Sequence, residues 1–299
     1  MIRLEDTSGG AVASAIAGER HRMGSGATGM VLTLLILTDE EYQADATAAA
    51  VSAARQHPMR IVTLIPRPGK HEARLDADIA VGGDDGPGEV AVLRLRGPLA
   101  DHANSVCIPL LLSDTPVVAY WPEGGPDSPS IDPIGRHAQR RITDAAASED
   151  VQRELARRRT GYSPGDTDLA WTRLTPWRAV LASILDQPIG AITAATVHAE
   201  EANASAILLV TWLNRALKVP VDLQVSEGPG ITQVQLATDD GDVTVNRPDG
   251  STAVLSRPGM PDSRVSLPRR ELADLMAEEL RRLDPDEVYG DVISHVELV

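Results

Sequence analysis

The sequence predicts an α/β (α+β) protein of two α/β domains with mixed sheets, joined by a helical bridge. Three observations carry that expectation. First, VLTLLIL (Val31 to Leu37), an Ala-rich segment and RIVTLI (Arg60 to Ile65) follow one another as strand, helix and strand, the order of a parallel pair with a crossover. Second, Val219, Val221, Leu223 and Val225 alternate with Pro220, Asp222 and Gln224. Thr232, Val234 and Leu236 then alternate with Gln233 and Gln235, the period of half-buried antiparallel strands. Third, EGGPDSPSIDP, residues 123–133, is made of turn formers and marks a boundary between the halves.

In chain order, residues 1–25 are polar and Gly-rich and read as a flexible leader. An N-terminal α/β domain occupies 26–125. Its helix opens at TDEE, where Thr38 and Glu41 have capping-box spacing, runs to about Gln56 and is stopped by Pro58. Two alternating strands follow, with Leu75, Ala77, Ile79 and Val81 on one and Leu93 and Leu95 on the other. Antiparallel pairing would set Asp76 and Asp78 opposite Arg94 and Arg96. A helix from about Pro98 to Leu112 and a strand, PVVAYW (Pro116 to Trp121), complete the domain.

The bridge, 126–187, reads helical from Ile134 to about Arg159 and again from Trp177 to about Leu185. The C-terminal α/β domain, 188–299, starts with a strand near Ala191 to His198 and a helix from about Ala204 to Leu217. An antiparallel meander follows, turned by EGPG, TDDGD and RPDG. The last helix puts Leu272, Leu275, Met276, Leu280 and Leu283 on one stripe and ends at Asp284-Pro285. Both halves run strand, helix, strands, helix, an order that hints at a duplicated unit.

Composition narrows the function. The 299 residues carry a net charge of −15, which argues against nucleic acid and against an anionic membrane surface. Of the 28 basic residues only Lys70 and Lys218 are lysines, a bias that suits bidentate contacts and equally a GC-rich genome. The start, MIRLEDTSGG, lacks the layout of a signal peptide, and no aliphatic run approaches the ~20 residues of a membrane helix. One cysteine, Cys107 in NSVCIPLLL, excludes an internal disulfide, fits a cytoplasmic location and reads as a buried, inert thiol.

Chemical motifs are sparse. Gly24, Gly26 and Gly29 form a GxGxxG string, but they precede a strand instead of following one, so a flexible lead-in accounts for them better than dinucleotide binding. GGDDGPG (Gly82 to Gly88) reads as a strand-connecting turn, since Asp84 and Asp85 would repel phosphate. His21, His57, His71, His102, His137, His198 and His295 show no metal-ligand spacing, so no metal site and no cofactor are expected. The carboxylates Asp76/Asp78, Asp166/Asp168 and Asp284/Asp286/Glu287 sit where capping and surface pairing explain them, and no catalytic residue is assigned.

The segment YSPGDTDLAWTRLTPWR, Tyr162 to Arg178, stands apart. Trp171 and Trp177 lie among Asp166, Asp168, Arg173 and Arg178 in a chain with four Trp and no Phe. Such residue types are enriched where one protein grips another. A helix start explains them equally, with Asp168 as a cap and Pro176 in a first turn. Arg140 and Arg141 in RRITDA have two readings, a docking surface or a solvated helix with intrachain Asp pairs. For Arg157, Arg158 and Arg159 a solvated helix with intrachain pairs is preferred.

This segment, together with LDADIAVGG (75–83), RLRGPLADHANSVCIPLLLSDTPVVAYWP (94–122), RRITDA (140–145) and RRLDPDEVYG (281–290), resembles the OpcA family of glucose-6-phosphate dehydrogenase assembly proteins. The likeness runs in order from about residue 25 to 295. It implies a non-catalytic, cytoplasmic partner that binds glucose-6-phosphate dehydrogenase and promotes its active oligomer in the oxidative pentose phosphate pathway. Arg140, Arg141, Asp166, Asp168, Trp171, Arg173, Trp177 and Arg178 are the candidate partner-binding residues. Thiol control, associated with some cyanobacterial relatives, would here need an intermolecular bridge through Cys107. Two rivals stand beside this reading. One is a metabolite-sensing regulator of the dehydrogenase; the other is a sugar-phosphate enzyme with an Arg-lined pocket between its domains.

Overall fold

The computed structural model describes residues 1–23, 29–82, 88–186 and 189–298. The chain divides into two compact units, each assembled from separate stretches of sequence. The first comprises Met1–Asp144, Ser163–Thr167 and Glu271–Pro285; the second comprises Ala145–Tyr162, Asp168–Arg270 and Asp286–Val299. The stretch expected to be a separate bridge is shared between these units, and the last expected helix of the C-terminal domain belongs to the first. Elements are numbered along the whole chain.

The first unit contains β1 (Ile2–Leu4), α1 (Gly9–Arg22), β2 (Leu32–Leu37), α2 (Gln43–Ala53), β3 (Met59–Arg67), β4 (Arg74–Val81), β5 (Glu89–Arg96), α3 (Ala103–Cys107), β6 (Val117–Tyr120), β7 (Arg140–Thr143) and α8 (Leu272–Arg281). Its sheet, in the order β1-β4-β5-β3-β2-β6-β7, continues to the short β8 (Asp166–Asp168). From β5 to β7 neighbouring strands are parallel, whereas β4 and β1 are antiparallel additions at one edge. Parallel strands covered on both faces need apolar residues on both, which is why β2 and β3 read as mostly aliphatic runs, interrupted by Thr33, Arg60 and Thr63. Leu34, Leu35, Ile36, Ile61, Val62 and Leu64 are all buried.

Several expectations change on this frame. The 1–23 stretch is not a mobile leader: β1 pairs with β4, and Val12 and Ile16 of α1 are buried in the core. Thr38 does not cap α2; its hydroxyl donates to Glu123 Oε1 at 2.5 Å, and α2 begins at Gln43. Instead Asp39 Oδ1 accepts from the amides of Glu41 and Tyr42 at 2.7 and 3.1 Å. The helix expected near 98–112 is a short α3 between two 3-10 turns, the second containing Pro109, which can donate no amide to a continuing helix. Residues 140–143 form a strand where a helix was expected, because their hydrogen bonds go to β6.

The β4–β5 hairpin pairs antiparallel as expected, with Asp76 opposite Arg94. The cross-strand ion pairs run diagonally, Arg94 to Asp78 at 2.7 Å and Arg96 to Asp76 at 3.3 Å, while Arg74 on the same strand reaches Asp76 at 2.7 Å. Gly24, Gly26 and residues 83–87, which hold much of the two Gly-rich motifs, lie outside the described residues.

The second unit contains α4 (Val151–Gly161), α5 (Leu169–Thr172), α6 (Thr175–Leu185), β9 (Ile192–Ala199), α7 (Ala204–Leu217), β10 (Val221–Val225), β11 (Ile231–Thr238), β12 (Val243–Asn246), β13 (Thr252–Arg257), β14 (Met260–Ser266) and α9 (Glu287–Ser294). Its sheet order is β10-β9-β11-β12-β13-β14. β10, expected to open the meander through EGPG, instead pairs in parallel with β9 at the sheet edge, and only the strands from β11 onward follow the antiparallel order expected. β10, the strongest alternating signal in the sequence, is an edge strand with Leu223 and Val225 exposed. β14 (MPDSRVS) was not anticipated, being polar and mostly exposed; α9 was missed because it has only 8 residues. The two sheets differ in strand order and direction, so they do not repeat one plan.

Charge is buried in the first unit where it can be neutralised. Arg60 and Glu89 are both buried; Arg60 donates to Glu89 at 2.7 Å and to the Leu110 carbonyl at 2.8 Å, and Arg20 donates to Glu89 at 3.1 Å. Removing one member of a buried pair strands the other charge. Glu89→Ala should therefore cost about 3–5 kcal/mol in urea unfolding, and a loss below ~1 kcal/mol would contradict the pairing.

Cys107 is fully buried, and burial pushes its thiol up to about 11. Its Sγ donates to the Asn104 carbonyl at 3.2 Å. An aromatic disulfide reagent at about pH 8 should leave it unlabelled in the native protein and label it fully in denaturant. Rapid native labelling would show an accessible thiolate.

Candidate functional site

The structure separates the residues singled out in the sequence into an internal scaffold and an arginine-lined pocket. Neighbours on β7 point to opposite faces, so Arg140 and Arg141 serve different partners. Arg140 donates from Nε to Glu279 Oε2 at 2.8 Å and from Nη1 to the Asp284 carbonyl at 2.8 Å. Arg141 pairs with Asp166 and donates to the carbonyls of Ala138 and Pro164 at 2.7 and 2.6 Å. Asp166 also accepts the Ser163 amide at 2.8 Å. Gly165 makes that approach possible: it sits at φ +96°, and a Cβ there would lie 2.5 Å from the Gln139 carbonyl oxygen.

Asp168 is fully buried and caps α5, accepting the Ala170 amide at 2.9 Å and the Ala145 amide at 3.1 Å. Trp171, 1% exposed, donates its indole N–H to Asp286 Oδ2 at 2.9 Å. The other oxygen of Asp286 accepts the Tyr289 amide at 2.9 Å and so caps α9. Tyr289 lies 6.0 Å from Trp171, ring centroid to centroid, and Tyr162 completes the cluster edge-on. Gly290 leaves room for it, because a Cβ there would lie 2.3 Å from the Tyr162 hydroxyl. Arg178 stacks over Trp171 with its guanidinium carbon 3.8 Å from the ring centroid.

These contacts correct the docking-surface expectation. Arg140, Arg141, Asp166, Asp168, Trp171 and Trp177 are buried, so they present almost no surface to a partner. The helix-start alternative describes the Trp segment better, with Asp168 as a cap and Pro176 in the first turn of α6, whereas Arg140 and Arg141 lie buried on a strand instead of on a solvated helix. Arg173 and Arg178 remain half-buried. Within α4, Arg157 and Arg158 both pair with Glu154, at 2.7 and 3.0 Å; the pairs are intrachain, but Arg158 and Glu154 are buried and do not lie on the solvated face expected. The three carboxylate groups likewise act as caps or ion-pair partners: Asp76 and Asp78 with arginines, Asp166 with Arg141, Asp168 and Asp286 as caps. No cluster of His, Cys, Asp or Glu suited to a metal occurs among the described residues.

The pocket lies wholly within the second unit and has a volume of about 280 Å³. Arg173 and Trp177 reach it from the α5–α6 junction, Asn203 to Ser205 from the start of α7, Gly230 and Ile231 from β11, and Arg247 from the end of β12. Pro268, Arg269 and Arg270 follow β14, and Glu200 supplies its carboxylate. Arg247 is 4% exposed; Nη1 and Nη2 donate to the carbonyls of Leu267 and Ile231 at 2.9 and 2.8 Å. Its Nε is buried and finds no acceptor among the described residues, and the guanidinium carbon stands 4.9 Å from the Trp177 ring centroid. Burial, and then the charge of Arg269, hold Arg247 below the usual arginine range.

Of these residues, sequence reasoning singled out only Arg173 and Trp177. The Arg269-Arg270 doublet after Pro268 was the local signal available for the rest. Arg247 sits in RPDG, which reads only as a turn.

A largely parallel sheet with antiparallel additions, followed by a second unit with a mostly antiparallel sheet, places the chain among Rossmann-like α/β proteins. The 3-ketoreductase KijD10 from Actinomadura kijaniata, seen with NADP and TDP-benzene, is similar over 88% of this chain and 94% of its own, with 11% identity and a TM-score of 0.51. That likeness concerns the fold alone. Its open conformation matches at 12% identity over 90% of this chain and 95% of its own, and an oxidoreductase from Sinorhizobium meliloti at 9% over 88% and 86%. Their TM-scores of 0.49 and 0.43 carry no further argument. No curated protein matches. Residues 50–160 match the family described as glucose-6-phosphate dehydrogenase subunit N-terminal domain, and residues 164–293 match the corresponding C-terminal domain. The chain belongs to this family, the OpcA glucose-6-phosphate dehydrogenase assembly proteins.

The scaffold can be tested directly. Trp171→Ala removes a buried indole together with the partner of Asp286, and should lower stability by about 3–5 kcal/mol. Trp171→Phe, which keeps most of the ring, should lose less. Calorimetric unfolding of both variants checks this, and an unchanged midpoint for Trp171→Ala would contradict the packing.

Proposed function

We propose that this protein is a non-catalytic assembly factor that binds glucose-6-phosphate dehydrogenase in the cytosol and favours its active oligomer. The observation that carries the reading is the consecutive match of both family domains, spanning residues 50 to 293. Such a partner works by binding one conformational or oligomeric state of the enzyme better than another. A tenfold gain in apparent substrate affinity needs only ~1.4 kcal/mol of differential binding, well within reach of an interface burying about 1,200–2,000 Å². Of the residues first considered for docking, Arg173 combines remaining exposure with a position at a pocket rim, and we assign it to the contact. The bond-making belongs to the dehydrogenase.

Mixed with purified dehydrogenase, the protein should co-elute with it on size exclusion and change its KM, kcat or oligomer distribution. Separate elution with unchanged kinetics at micromolar concentrations of both would overturn the proposal. Turnover of glucose 6-phosphate by the isolated chain would overturn its non-catalytic part.

A further inference from the structure

We propose that the arginine-lined pocket of the second unit binds the phosphate group of a small phosphorylated metabolite. In a chain of net charge −15, Arg247 and Arg269 meet in this pocket beside the carboxylates of Glu200, in its lining, and Asp249. Neither Arg247 nor Arg269 forms a close ion pair with a described residue; the charge of Arg269 opposes that of Arg247, and Asp249 offsets this only in part. A buried guanidinium in that position is costly unless an anion joins it.

Arg247 is held for the purpose. Two of its nitrogens are spent on the Leu267 and Ile231 carbonyls, which fix the plane, and the Trp177 ring lies beside it. Its Nε is buried and without an acceptor, so Arg247 acts on the pocket through its charge and the exposed Arg269 supplies the free donors. The 14-residue helix α7 begins at the same pocket, adding the positive end of its dipole. Planar guanidinium forks together with a helix N-terminus match a tetrahedral dianion better than a single carboxylate. A volume of about 280 Å³ seats a phosphate with a small polar body.

Calorimetric titration of the full chain alone, at low salt, tests this with inorganic phosphate, a hexose phosphate and succinate. Phosphate or its ester should saturate one site with a Kd below about 1 mM. Arg269→Gln should weaken that binding by about tenfold. Its side chain is exposed and pairs with no carboxylate among the described residues, so the fold should be kept. Arg264→Gln, an exposed arginine on β14 outside the pocket, should leave binding unchanged. Arg247→Met should abolish it, with circular dichroism checking that the unit still folds.

Absence of saturable binding by both phosphate compounds up to about 10 mM, indifference to Arg269→Gln, or succinate binding as tightly as the ester would each overturn the assignment. Because the dehydrogenase is not in the cell, these outcomes are independent of the assembly role. Intact co-elution with no phosphate binding would sink only the pocket assignment, and the converse only the assembly role.

Discussion

A guanidinium withdrawn from water must be given acceptors, and much of this structure is arranged around that requirement. Arg60 and Arg140 each meet a buried carboxylate and a backbone carbonyl, and Arg141 meets a carboxylate and two carbonyls. Their carbonyl partners are not spare groups: Leu110 ends a 3-10 turn, and Pro164 lies in the tight chain around Gly165. Each arginine therefore ties a strand to an irregular segment that has no ladder of its own. The rule behind it is that buried polar groups find partners, at a steep cost when they do not. Arg247 departs from the pattern, since it has carbonyl partners but no carboxylate. That departure distinguishes a group built to hold the fold from one with capacity left over.

The second unit is organised by a different device. Trp171 gathers an acceptor from the cap of α9, an aromatic neighbour from the same helix and a cation from α6. Because one oxygen of Asp286 holds the indole and the other caps α9, helix formation and ring packing reinforce each other. The same helices then carry Arg173 and Trp177 to the pocket. The scaffold and the pocket thus share α5 and α6.

Family membership and fold point in different directions, and the physics says which to follow for function. A Rossmann-like sheet is shared by proteins of many activities, so likeness to reductases at 11% identity speaks for architecture only. The family match concerns a chain that accompanies glucose-6-phosphate dehydrogenase. A protein that shifts another enzyme's equilibrium needs a surface and a reason to prefer one state. A ligand seated beside the α5–α6 junction would supply a means of changing that preference.

Periodicity and composition, which are local, already specified the two-part α/β class, most strands of both sheets, α7 and the antiparallel order from β11 onward. They did so because a strand covered on both faces must be mostly aliphatic, and one covered on a single face must alternate. The same local signal misled at β10, whose clean alternation belongs to an exposed edge, and at β7, whose arginines are buried by partners distant in sequence. Whether Trp171 packs inside or grips a neighbour depended on where Asp286, Tyr289 and Arg178 arrive, and only the folded chain decides that. The pocket was invisible for the same reason: its arginines come from three separate segments, and electrostatic convergence is a property of space, not of sequence order.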